Sequence, residues 1–81
     1  MSEPVPDMLV RMNQSAASAL RNLRWGRQVS MEQCADLMEI ALPDFLAKER
    51  GRSSFTAAEF EALAMLLDLE VDELRGQIGL A

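Results

Sequence analysis

Apolar residues recur along this chain at three- and four-residue steps, the period of a helix that buries one face. The first such run extends from Met8 to Trp25, where Leu9, Met12, Ala16, Ala19, Leu20 and Leu23 share one side and predict one long amphipathic helix. Asp7 stands where it can cap that helix and Gly26 where it can stop it. The small residues in its middle, Ser15-Ala16-Ala17-Ser18-Ala19, suit either packing beneath larger core side chains or close contact with a helix of a second subunit. Cys34, Ala35 and Met38 mark a second buried face and Phe45 and Leu46 a third. Phe60, Leu63, Ala64 and Leu67 mark a fourth, and Leu74 belongs to a short last helix over Val71 to Gly76. Five helices with short connections predict an all-α bundle without strands.

Polar residues punctuate this pattern at the points where helices must begin and end. Ser30 with Gln33 and Thr56 with Glu59 are spaced as capping boxes, in which each side chain satisfies a backbone N–H that a helix start leaves open. Glu39-Ile40-Ala41 and Asp68-Leu69-Glu70 break the apolar period. Gly51 follows Glu49-Arg50 where a helix end favours a left-handed residue. The expected organisation is a flexible tail over residues 1–7, one domain over 8–76 and a C-terminal tail over 77–81.

Composition removes several functions from consideration. The 81 residues contain one cysteine and no histidine, so neither a disulfide within the chain, a zinc cluster nor histidine-based acid–base catalysis can be built. Carboxylate pairs such as Glu59/Glu61 and Asp72/Glu73 fall on expected solvent faces, and no glycine-rich phosphate loop is present. Cys34, on an inner face, is expected to be a buried, unreactive thiol. An enzyme is not expected, nor any cofactor or metal. No apolar run approaches the roughly 20 residues of a membrane span, and no signal peptide is evident, so a cytoplasmic protein is expected.

The net charge of −5 runs against binding nucleic acid, but its distribution does not. Arg21, Arg24, Arg27, Lys48, Arg50 and Arg52 outnumber the five acids of residues 21–52, whereas residues 53–81 hold six acids and only Arg75. A basic side facing DNA with an acidic rear would carry charge in this way, and so would an ordinary solvated surface.

Two short helices joined by a few residues, as expected over residues 30–51, form the helix-turn-helix pattern, whose second helix can enter a DNA major groove. From Leu20 to Leu74 the chain resembles the lambda-repressor-like Cro/cI (XRE) family of transcriptional regulators. The resemblance is carried by Leu20-Arg21-Asn22-Leu23-Arg24 in the first helix, the Val29-Ser30 lead-in, Ala35 in helix two and Ile40 in the turn. Phe45 in the recognition helix, Glu49-Arg50-Gly51 at its end, Ala64, Leu67 and Val71-Asp72-Glu73-Leu74 continue it. It implies a five-helix lambda-repressor-like fold, here with an extended first helix, and an ion pair between Arg24 and Glu49 that ties the recognition helix to the scaffold. It also implies that Glu39, standing where the family carries glycine, must adopt a left-handed conformation or let the turn deform, and that Asp68 replaces a second glycine.

The same alignment assigns DNA contacts. Leu42, Pro43, Asp44 and Ala47 occupy the base-reading positions, where Leu42 can touch a thymine methyl and Asp44 can accept from a cytosine amino group. Ser30 and Met31 open helix two, the family's phosphate-contacting position. Arg27, Lys48, Arg50, Arg52, Ser53 and Ser54 supply backbone contacts, which give affinity but little sequence information. The implied function is a promoter- or operator-binding regulator, a repressor, acting as a homodimer or with another regulator. The alternative is a degenerate helix-turn-helix that binds protein as an antitoxin-like factor or regulator partner, through Leu42, Pro43, Phe55, Ile78 and Leu80. Phe55 either serves that surface or packs on the core.

Overall fold

The computed structural model describes residues 9–80, which form five helices: α1 (Gln14–Gly26), α2 (Met31–Met38), α3 (Leu42–Glu49), α4 (Ala57–Leu66) and α5 (Val71–Gln77). No strand occurs among the described residues, and none of their helices is long and apolar enough to cross a membrane. Asp7 and the segment 1–7 lie outside the described residues.

The first helix starts at Gln14 rather than Met8, so the extended first helix is corrected. Asn13, in extended backbone, accepts a hydrogen bond from the Ala16 N–H at 2.7 Å and caps α1 there. Ahead of it the chain alternates: Val10 and Met12 are buried, while Leu9 and Arg11 face outward. Val10 and Phe55 exchange backbone hydrogen bonds at 2.8 and 2.9 Å as an isolated antiparallel bridge. Leu9, Met12 and Ala16 satisfy a helical period by spacing alone, but the partner that decides the conformation lies 45 positions downstream.

Both expected capping boxes form. The Ser30 hydroxyl accepts from the Gln33 N–H while the Gln33 side chain accepts from the Ser30 N–H, and Thr56 and Glu59 do the same at α4. Each helix ends on a left-handed residue: Gln28, Glu39, Gly51, Asp68 and Gly79 follow α1 to α5 in turn. At all five, the N–H of that residue and of the next reach back to carbonyls of the last turn, as Gly51 to Lys48 and Arg52 to Ala47 do after α3. After α1, α2, α4 and α5 the next residue is apolar (Val29, Ile40, Leu69, Leu80) and packs into or against the core. After α3 it is Arg52, which is exposed.

The core centres on Phe45, Phe55 and Phe60, whose rings tilt against one another with centroids 6.0 and 6.1 Å apart. Leu20, Leu63, Leu67 and Leu74 complete it, fully buried. Helix α2 packs on α3 and α4, and α4 on α5. Two of the residues offered for a protein-binding surface are thereby withdrawn from it: Phe55 has no exposed surface and Ile78, which follows α5, is 3% exposed. Leu80 packs partly against the same core.

Candidate functional site

Helix α3 is held from beneath. Arg24, near the end of α1, donates from Nε to Glu49 Oε2 at 2.8 Å and from Nη2 to Glu49 Oε1 at 3.2 Å. Its Nη1 donates to the Val29 carbonyl at 3.2 Å, and the guanidinium carbon lies 5.9 Å from the centroid of the Phe45 ring. One side chain therefore joins α1, α3 and the loop before α2. Arg24 and Glu49 are both buried, so the two charges satisfy each other away from water. The implied ion pair is present, in bidentate form.

With that pair neutralised, the remaining charge of the region lies at its exposed edges. Arg50 and Arg52 follow α3 and Arg27 follows α1, all exposed, as are Ser30 and Ser53. The loop after α3 is fixed by the N-terminal segment: Arg11 Nε donates to the Gly51 carbonyl at 2.8 Å. A side chain at Gly51, where φ is +83°, would run into the Met12 carbonyl.

Lys48 does not join this surface as expected. Its ammonium pairs with Glu59 Oε1 at 2.6 Å and donates to the Ser54 carbonyl at 3.2 Å, so its charge is spent between α3 and α4. Burial pushes the Glu59 carboxyl up, but hydrogen bonds from Lys48 and Thr56 together with the Lys48 charge outweigh it and hold Glu59 below its ordinary 4.5. Ser54 is half-buried, its carbonyl engaged by that lysine.

At the start of α3, Pro43 and Asp44 are exposed, whereas Leu42 and Ala47 are half-buried and Leu42 packs partly on the core. Met31, at the start of α2, is also partly buried against the core. The outward chemistry of α3 is thus one carboxylate, Asp44, a proline ring, and the two arginines beyond its C-terminus. Cys34 is fully buried; that burial pushes its thiol up to about 11, the nearby Arg24 opposing and Glu49 adding to the effect. The described residues hold no group of three or more acidic or cysteine side chains placed to bind a metal ion.

Trp25 was given no site role from the sequence, and Arg21 was counted there only among the basic residues and in the first-helix motif. Trp25 is 66% exposed, and it borders a groove of about 280 Å³ between α1 and α3. Ala17, Arg21, Met31, Leu46 and Arg50 line the same groove, and the Arg24–Glu49 pair forms part of its wall. A second, shallower depression on the other side of Trp25 reaches Gln28, Ser30 and Glu32. The available signal was the four-residue spacing of Arg21 and Trp25, which places them on one exposed helix face. No family model, curated protein or solved structure matches this chain.

Proposed function

We propose that this protein is a small DNA-binding transcriptional regulator with a lambda-repressor-like helix-turn-helix, in which α3 enters the major groove. It acts as a repressor by occupying promoter DNA as a dimer, without catalysis. The observation that carries the proposal is the locked seat of α3. The buried Arg24–Glu49 pair joins α1 to α3, and exposed Pro43 and Asp44 lie at one end of the helix with Arg50 and Arg52 at the other. A reading helix must be held this firmly, because its side chains discriminate bases only at fixed distances.

On this proposal Arg27, Arg50 and Arg52 meet phosphates, with Ser30 and Ser53 as neutral donors, and Lys48 takes no part. Asp44 accepts from a cytosine amino group, and Leu42 and Pro43 contact thymine methyls at the edge of the groove. Three phosphate-contacting arginines per subunit give six in a dimer, and about 0.9 counterions are released for each phosphate neutralised. The dependence of log affinity on log salt should therefore fall near a slope of about −5.

The experiment is a titration of the purified chain against genomic DNA fragments at several salt concentrations. Saturable, salt-steep binding to a discrete fragment is expected, and Arg50→Ala should weaken it roughly uniformly across sequences while lowering the slope by about 1 per site. Absence of binding by the chain alone, with binding restored by a co-expressed protein, would replace this proposal with the protein-interaction role.

A further inference from the structure

Of the residues that line the groove between α1 and α3, only Arg50 takes part in the contacts proposed above. The composition of the groove is unusual for a surface that meets only water. An indole that is 66% exposed shares the groove with Arg21 and Arg50, with Met31, Leu46 and Ala17 as apolar lining. The charges within the wall are already matched, because Arg24 and Glu49 pair bidentately. Arg21 and Arg50 have no salt-bridge partner within 4 Å among the described residues, so the open rim is cationic. That local charge opposes the −5 of the whole chain and selects an anionic occupant.

We infer that this groove holds the DNA sugar–phosphate backbone beside the major groove, with Arg21 and Arg50 on successive phosphates and the Trp25 indole packed on the deoxyribose between them. The assignment rests on the DNA-binding proposal and adds Arg21 and Trp25 to its interface, which takes the expected salt slope of a dimer from about −5 to about −7. The charge of the rim suits phosphates, and the apolar lining suits the carbon face of a sugar, which a bare phosphate site would not need. The indole N–H can donate to a phosphate oxygen, an additional neutral contact. The groove shares Arg24, Trp25 and Met31 with the depression that carries Ser30, so on this assignment one backbone strand passes from one to the other.

Trp25 is the chain's only tryptophan, so its emission follows this one side chain, and Arg21, which lines this groove and not the neighbouring depression, ties the readout to the groove. Duplex DNA carrying a 5′ fluorophore is titrated with the protein, and DNA anisotropy and tryptophan emission are followed in parallel. The expected result is a tryptophan change that saturates with the same midpoint as the anisotropy. Arg21→Gln should lower the salt slope by about 1 per site and weaken binding several-fold on every sequence. Trp25→Ala should weaken binding with little change in slope, while Trp25→Phe keeps part of the affinity because it retains a ring to pack on the sugar. Both residues are exposed on α1, so the variants should fold, which circular dichroism checks. DNA binding with unchanged tryptophan emission and an unchanged slope in Arg21→Gln would overturn the groove assignment and leave the DNA-binding proposal standing. No DNA binding at all would overturn both. A tryptophan response to an acidic, leucine-containing peptide but none to duplex DNA would give the groove to a protein partner and overturn the assignment.

Discussion

A single guanidinium decides how α3 sits. Arg24 spends all three nitrogens inside the protein, on both Glu49 oxygens and the Val29 carbonyl, so each of them has a partner. No buried side-chain nitrogen or oxygen among the described residues lacks a hydrogen-bond partner. The pair is consequently worth little more than a well-packed apolar substitute, yet removing half of it is costly. Glu49→Ala should destabilise the fold by about 3–5 kcal/mol in urea denaturation, because it strands a cation in the core. The double variant Arg24→Met with Glu49→Leu should recover much of that loss. A single variant as stable as the parent would show that the charges are not paired in solution.

Helix ends show what local chemistry can and cannot arrange. All five end on a left-handed residue, but only Gly51 and Gly79 are glycines; Gln28, Glu39 and Asp68 adopt φ near +60° with a side chain. Such a conformation costs an L-residue roughly 1–2 kcal/mol, offset by the two backbone hydrogen bonds it closes and the apolar residue it turns inward. Glu39→Gly should therefore raise stability, by up to about 1 kcal/mol after the extra freedom of glycine in the unfolded chain is subtracted. The mirror-image substitution, Gly51→Ala, should lower stability by more than that, because φ is +83° and the added carbon meets the Met12 carbonyl. Thermal midpoints read both, with about 4–8 °C expected per kcal/mol for a domain of this size. Equal and small shifts at the two positions would contradict the turn geometry after α3.

For the molecule as a whole, two ionisable groups couple stability to pH from opposite sides. Glu59 is held below its ordinary 4.5, so the folded state binds its proton more weakly than the unfolded chain does. That contribution is fully present above about 4.5 and is lost as pH falls through the depressed value. Cys34 runs the other way, raised from 9.0 to about 11, so its contribution is full below pH 9 and fades as pH rises toward 11. Urea midpoints should accordingly be highest between these limits and fall on both sides. Glu59→Gln should flatten the acid edge while leaving the alkaline one; an unchanged acid edge would place the Lys48–Glu59 pair outside the stability balance. The same pair explains why Lys48, a cation on the flank of α3, is absent from the proposed DNA surface.

How much of this was legible beforehand follows the range of the interactions involved. Helix starts at Ser30 and Thr56 were readable because each capping box closes over three residues, within reach of the local chain. The buried faces of α2 and α4 were readable because period alone fixes which side chains share a side of a helix. Arg24 and Glu49, 25 positions apart, came into view only through family resemblance, since nothing local relates them. Where the local pattern was compatible with two arrangements, tertiary contact chose between them. Residues 9–13 could continue a helix or extend, and the bridge to Phe55 extends them. Phe55 could face solvent or core, and Phe45 and Phe60 enclose it. Lys48 could meet phosphate or a carboxylate, and α4 brings Glu59 within reach. The groove around Trp25 belongs wholly to this second class, because its walls come from α1, α2 and α3 and exist only once those helices have packed.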